Sequence, residues 1–160
     1  MPRYLLKKAE IDAMPGLAKQ HFLNPDAQRV NKSLGDLCGL TGMGFHLIEV
    51  PPGKCSTEYH VHYDEDECTY VLSGTGTVEI GDETHQIGPG DFIGYPAGGL
   101  PHTMHNTGSE PLRCLVAGTR LAHDVGDYPR LGKRIFRRAG QPANVVDHAH
   151  IATPEVGRKT

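Results

Sequence analysis

The sequence predicts an all-β fold, either a sandwich or a barrel of short strands. Glycine and proline are abundant, at 20 and 12 of the 160 residues. Val, Ile, Thr, Tyr and Phe fill the segments between them, and turn signals recur about every ten residues. No segment carries an apolar repeat of helical period that is long enough to suggest alternating strands and helices.

The first 26 residues are predicted to be an N-terminal extension with one short helix. Residues 7–14 form that helix, and Pro15 and Gly16 end it, because both residues favour turns. The N-terminus has no apolar signal core, and no apolar stretch approaches the length of a membrane span. We therefore expect a cytoplasmic protein with no membrane partner.

Residues 27–122 carry the strands of the predicted barrel. Turns such as Pro51-Pro52-Gly53 separate them, because proline fixes φ and glycine allows the chain to reverse. The predicted strands cover residues 28–34, 44–50, 58–62, 67–72, 75–80, 85–87, 92–95, 102–106 and 112–118.

Residues 123–160 are predicted to form a C-terminal extension that packs on the barrel or on a partner subunit. Its basic run, residues 130–138, is interpreted as a solvated strand anchored by Ile135 and Phe136; an anion site or a subunit contact is the alternative. A second His-x-His pattern, His148 and His150, is interpreted as part of an exposed tail. A second metal site there has little support, because no nearby strand offers a carboxylate.

Composition excludes several classes of function. A chain of 160 residues suits one domain with a real core, and its net charge of −3 gives no basic surface for nucleic acid. The four cysteines show no Cys-x-x-Cys spacing, so we expect reduced, buried thiols in preference to a disulfide or a thiolate metal site.

Four residues form the predicted metal site. His60 and His62 are two apart, and residues at that spacing on a strand face the same side. The acidic loop after them lets Glu67 begin the next strand facing the same way, and His102 comes from a strand distant in sequence. Imidazole and carboxylate suit zinc, manganese, iron, nickel or copper. Three histidines and one glutamate leave positions open on a six-coordinate metal, as catalytic sites require.

The residues around these ligands resemble the two motifs of the cupin superfamily. The first cupin motif is Gly-x5-His-x-His-x3–4-Glu-x6-Gly, and the second is Gly-x5-Pro-x-Gly-x2-His-x3-Asn. This chain is similar over about residues 44–118, with one inserted residue in a loop of each motif and no ligand changed. The matching positions are Gly53, His60, His62, Glu67 and Gly74 for the first motif, and Gly90, Pro96, Gly98, His102 and Asn106 for the second.

This resemblance implies a double-stranded β-helix (jelly-roll) barrel that holds a divalent transition metal on His60, His62, Glu67 and His102. The hypothesis for function is a metal-dependent enzyme acting on a small oxygenated molecule, of the dioxygenase, isomerase or lyase type. The alternative is a cupin that binds or senses a small molecule without turnover. The complete ligand set argues against a metal-free, sugar-binding cupin. We expect a homodimer, because a short open barrel has sheet edges to cover.

Two further residues are predicted near the open metal positions. Glu58 is in phase with His60 and His62, so it is expected either to orient a ligand or to act as a base, with a salt bridge at the barrel rim as the alternative. Tyr63 either points at the metal or packs at the rim. Met104 shares the phase of His102 and is expected to line the cavity, whereas His46 is expected to be structural.

Overall fold

The computed structural model describes residues 3–155 and 157, and it confirms the predicted all-β fold. The helices are short: α1 is Lys8–Ala13, at the position predicted from the sequence, and α2 is Leu34–Leu37. The strands are β1 (Leu17–His21), β2 (Asn24–Ser33), β3 (Met43–Val50), β4 (Val61–His62), β5 (Glu67–Ser73), β6 (Gly76–Ile80), β7 (Glu83–Ile87), β8 (Phe92–Tyr95), β9 (His102–His105), β10 (Leu112–Thr119), β11 (His123–Tyr128), β12 (Lys133–Arg138) and β13 (Asn144–Asp147).

The described strands form three antiparallel sheets, in the manner of a jelly roll. The largest has the order β1-β2-β3-β10-β5-β8, a second has the order β13-β12-β11-β4, and the third has the order β7-β6-β9. Strand β10 lies between β3 and β5, so the main sheet joins strands that are far apart in sequence. No helix within residues 3–155 and 157 has the length and apolar character that crossing a membrane requires.

The hydrophobic core lies between the largest sheet and the three-stranded sheet. Side chains alternate along β5, where Thr69 and Val71 are fully buried while Tyr70 and Leu72 are exposed on the other face. Removing this apolar surface from water is the main contribution to folding. The core cluster consists of Ile48, Val50, Val71, Val78, Ile87, Ile93, Tyr95, Met104, Leu112 and Cys114.

Asn106, the last residue of the second motif, ties two core strands together. Its side chain is almost fully buried and donates hydrogen bonds to the carbonyl oxygens of Val50, at 2.7 Å, and Glu110, at 2.8 Å. It thereby satisfies backbone acceptors that the strand ends leave unpaired. Gly74, the last residue of the first motif, has φ +82°, and a Cβ there would lie 2.5 Å from the carbonyl oxygen of Pro111.

The two extensions join the sheets of the barrel. The boundary that we expected between residues 26 and 27 falls inside β2, which pairs with both β1 and β3. At the other end, β11 pairs with β4, and β12 lies between β11 and β13. Most of the basic run forms β12, an inner strand of this sheet, and its last three residues are exposed, with Phe136 at 38%.

The segment that carries the histidine pair is less regular than predicted. A strand was expected over residues 58–62, but only Val61 and His62 form a ladder. His60 is joined to His102 by an isolated bridge, in which each backbone N–H donates to the carbonyl of the other residue. This bridge brings the two motifs into contact inside the fold.

Candidate metal centre

Three of the four predicted ligands converge in the structure. Ligand atoms of His60, His62 and Glu67 all lie within 4.8 Å of one another. The two imidazole Nε2 atoms are 3.1 Å apart, and His62 Nε2 is 4.0 Å from a carboxylate oxygen of Glu67. His102 lies beside this group, with its ring centroid 4.7 Å from that of His60.

Hydrogen bonds on the far side of each imidazole decide which nitrogen carries the proton. The Nδ1 of His60 contacts the carbonyl oxygen of Glu58 at 2.9 Å, and a carbonyl only accepts, so Nδ1 is the protonated atom. The Nδ1 of His62 donates to Asp124 Oδ2 at 2.8 Å. Both Nε2 atoms therefore keep their lone pairs and face each other, an arrangement that a cation would stabilise.

His102 supplies a third bare nitrogen. Its Nδ1 contacts the carbonyl oxygen of Leu100 at 3.3 Å, and its Nε2 is buried with no hydrogen-bond partner among the described residues. The ring stacks on Tyr95, with centroids 3.5 Å apart and planes 7° apart, which fixes its orientation. A buried nitrogen without a partner costs free energy unless a ligand satisfies it, so the donor set fits a divalent transition metal.

Burial keeps the imidazoles of His60 and His102 neutral. It lowers the pKa of His60 well below its usual value, with a further contribution from the neighbouring His102 and His62. Burial also lowers the pKa of His102 to about 4. Burial raises the pKa of Glu67, although the positive charge of Arg29, and that of His62 when it is protonated, oppose the change. Neutral imidazoles are the form that binds a metal.

The C-terminal strands supply a support that the sequence did not reveal. Asp124, on β11, is 1% exposed and lies behind His62. Burial alone would raise the pKa of Asp124, but hydrogen bonds from Arg137 and His62 lower it below its usual value. Arg137, on β12, also forms a salt bridge with Glu65. Gly126 lets β11 lie close to β4, since a Cβ there would be 2.8 Å from the carbonyl oxygen of Val61.

The structure places the side chains of the two expected catalytic residues, Glu58 and Tyr63, outside the cavity beside the ligands. Glu58 accepts a hydrogen bond from Asn24 at 2.7 Å, and its backbone carbonyl, not its carboxylate, orients His60. Tyr63 donates its hydroxyl hydrogen to Asp127 at 2.8 Å and is 41% exposed. The expectation for Glu58 depended on a regular strand over residues 58–62. In the structure the strand begins only at Val61.

A cavity of about 330 Å³ opens beside His60, His62 and Glu67. Met104 lines it as expected, and so does His46, which we had expected to be structural only. The C-terminal strands close one side with Tyr128, Ile135 and Arg137. On the N-terminal side the wall includes His21 and Arg29. This volume suits a small molecule.

A second acidic group beside His62 is already neutralised. His62, Glu65 and Asp124 are also close enough together to hold a metal. Arg137 forms salt bridges with both of these carboxylates, so its guanidinium takes the place that a cation would have. In the second His-x-His pattern, the Nε2 atom of His148 lies 3.3 Å from a carboxylate oxygen of Asp127.

Comparison with known proteins supports the same fold over nearly the whole chain. A family model described as a cupin domain matches residues 46–118. The chain is 51% identical to a candidate sugar phosphate isomerase of Acidithiobacillus ferrooxidans, with a TM-score of 0.91 over 95% of this chain and 97% of that chain. It is 25% identical to a sugar phosphate isomerase from a cupin superfamily of Silicibacter pomeroyi, with a TM-score of 0.80 over 91% of this chain and 95% of that chain.

One curated relative is similar over part of the chain. It is an uncharacterized protein of Methanocaldococcus jannaschii, 36% identical over 66 residues, which are 41% of this chain. The match spans only about half of that relative, 51% of its length. The family model, the two solved structures and the converging ligands agree: this chain is a member of the cupin superfamily.

Proposed function

We propose that this protein is a metal-dependent enzyme that acts on a small oxygenated molecule, and that its reaction is the isomerisation of a sugar phosphate. One observation carries the metal dependence: imidazoles with bare Nε2 atoms converge with Glu67 at the wall of a cavity. The choice of reaction is supported by the names of the two similar solved proteins, one of which is 51% identical over nearly its full length.

His60, His62, Glu67 and His102 would hold the metal. When bound, such a metal supplies Lewis-acid polarisation of a carbonyl or hydroxyl oxygen. The protein contributes the fixed direction of the ligands. The oxygens of Glu58, Asp124 and Leu100 each hold one imidazole by its Nδ1, so the rings lose little freedom when the metal binds.

Tyr128 is the residue proposed to hold a proton toward the substrate. Its hydroxyl oxygen lies 3.3 Å from His21 Nε2. The other nitrogen of His21, Nδ1, accepts the backbone N–H of Leu23, so Nε2 carries the hydrogen and donates it to Tyr128. The hydroxyl hydrogen of Tyr128 is then available to a substrate oxygen. Burial raises the pKa of Tyr128, which keeps that hydrogen in place at neutral pH.

Metal content tests the proposal first. Protein purified without added metal and without a tag should contain about one iron, manganese, nickel, copper or zinc per chain by elemental analysis. His62→Ala removes one donor and should abolish retention of the metal. His85→Ala is the matched control, because His85 is exposed on β7 and its imidazole contacts the carboxylate of Glu83. A His62→Ala protein with full metal content would contradict this site.

Turnover then separates an enzyme from a binding protein. The metal-loaded protein is incubated with a panel of aldose and ketose phosphates, and the products are followed by NMR. Interconversion of one pair, absent in His62→Ala, is the expected result. A sugar phosphate that binds tightly and is never altered would instead support a binding or sensing role. Oxygen consumption with the same panel would redirect the proposal to a dioxygenase.

A further inference from the structure

Arg29 is a cavity residue whose charge has no salt-bridge partner among the residues that the structure describes. It lies on β2, opposite Lys19 of β1, and its side chain forms part of the wall that also contains Glu67. One guanidinium nitrogen, Nη1, donates to the carbonyl oxygen of Ser56 at 2.5 Å. The Nε atom is buried with no hydrogen-bond partner in the part of the chain that the structure describes.

The other cavity arginine is in a different state. Arg137 forms salt bridges with Asp124 and Glu65, so its charge is neutralised within the protein. Arg29 forms no salt bridge with any carboxylate of residues 3–155 and 157. The negative charge that acts on it most strongly is that of Glu67, and we have assigned that carboxylate to the metal.

An unpaired guanidinium at a cavity wall is costly to bury but effective in binding. Taking an ionised group out of water is unfavourable unless a counter-charge compensates for it. A guanidinium presents parallel N–H donors that match the oxygens of a carboxylate or phosphate. Asp127 is the other carboxylate at this cavity, and Arg134 already binds both of its oxygens, at 2.7 and 2.9 Å. With a metal bound, the wall around Arg29 therefore favours an anion.

We infer that Arg29 binds an oxyanion of the cavity ligand, a carboxylate or a phosphate, while the hydroxyl or carbonyl oxygens of the same molecule face His60, His62 and Glu67. This assignment rests on the proposed function and defines the substrate class: a small, negatively charged hydroxy or keto compound. The cavity of about 330 Å³ limits its size. Arg29 is then a specificity-determining residue that discriminates anionic from neutral compounds.

Three probes with the same carbon skeleton test this inference: glycerol 3-phosphate, glycerate and glycerol. Each is titrated calorimetrically into the metal-loaded full chain at constant ionic strength. At least one of the two anions should bind more tightly than glycerol, and the preferred anion identifies phosphate or carboxylate as the group that Arg29 receives. Arg29→Gln should weaken binding of that anion by about 10- to 100-fold, because a hydrogen-bonded charge is lost. Arg29→Lys should retain part of the affinity.

Two controls keep this result separate from the metal site. Arg138→Gln removes an equal charge from an exposed position of β12 and should leave the affinity unchanged. Metal content should be the same in Arg29→Gln as in the unaltered protein, since Arg29 is not a ligand. Thermal unfolding and circular dichroism of both Arg29 variants check that they fold.

Three results would overturn the inference: equal anion affinity in Arg29→Gln and the unaltered protein, glycerol binding as tightly as the anions, or no binding of any probe. Each of these can occur with the metal fully retained, in which case the metal site stands and the role of Arg29 falls. Loss of metal from the unaltered protein would instead defeat the proposed function and this inference with it, because the carboxylate of Glu67 would then be free to neutralise Arg29.

Discussion

The candidate site is built from two regions whose chemistry differs. One is the turn that carries the first motif, residues 58–67, and the other is the strand pair β11–β12. The turn contributes imidazoles, and burial lowers the pKa of one of them, His60, well below its usual value. The strand pair contributes ionised groups that neutralise one another, with Asp124 and Arg137 in a salt bridge. The turn provides the donor atoms, and the strands hold one of those donors in position through the hydrogen bond from His62 to Asp124.

This difference shows that the donor residues and the residues that orient them are specified over different distances along the chain. His60 and His62 lie two residues apart, so a short segment specifies the donors. Asp124 lies 62 residues from His62, and only the pairing of β11 with β4 brings them together. Changing a donor residue of the turn should therefore abolish metal retention. Changing a supporting residue of the strands should only weaken the affinity for the metal.

Asp124→Asn should produce the largest effect in the strand pair. The change preserves volume but removes the charge that accepts the Nδ1 hydrogen of His62. Losing such an outer partner typically costs about 10- to 100-fold in metal affinity. The affinity is measured by competition with a chelator of known strength. Asp147→Asn is the matched control, because Asp147 is a half-exposed residue of β13 paired with Lys133. Unchanged affinity in Asp124→Asn would show that the strands only cover the site.

The sequence was sufficient to predict most strands of the barrel. Seven of the nine predicted barrel strands begin and end within two residues of an observed strand, and the all-β class is confirmed. The reason is local: alternation along a strand and the turn residues between strands depend on neighbours in the chain. His60, His62 and Glu67 converge because one short turn separates β4 from β5.

Arg29, Asp124 and Arg137 could not be predicted in the same way. Each stands in an ordinary polar segment, and its role follows from the register of strands far apart in sequence. The basic run illustrates the point: a short run of positive charge is usually solvated, yet Arg137 faces two carboxylates across the sheet. The prediction for Glu58 assumed a regular strand over residues 58–62, whereas the strand begins only at Val61.

Acid should separate the two regions without a mutation. The pKa of His102 in the fold is about 4, below the usual value of 6.5, and that of His60 is also lowered, so the unfolded chain binds more protons than the folded one between these values. The stability of the metal-free protein should be complete above about pH 6.5 and decline as the pH falls toward 4. We expect the titration of His102 alone to lower the melting temperature by about 5–10 °C between pH 7.5 and 4.5.

Melting curves of the metal-free protein at pH 7.5, 5.5 and 4.5 measure this decline. Over that range Asp124 and Asp127 should remain ionised, since the pKa of Asp124 is lowered and that of Asp127 is about 2. His102→Gln removes one of the two histidines and should flatten the curve. A melting temperature independent of pH would mean that these imidazoles are not held neutral by burial.

Tyr63→Phe should have the smallest effect, because Tyr63 connects the two regions without reaching the cavity. The change removes one hydrogen bond to Asp127, which keeps both of its contacts with Arg134. The free energy of unfolding should fall by about 0.5–1.5 kcal/mol in a denaturant titration. Metal content and turnover should stay within about twofold of the unaltered protein. If turnover instead fell 100-fold while the metal was retained, the hydroxyl of Tyr63 would have to contact substrate. Tyr63 would then belong to the catalytic part of the site and not to its support.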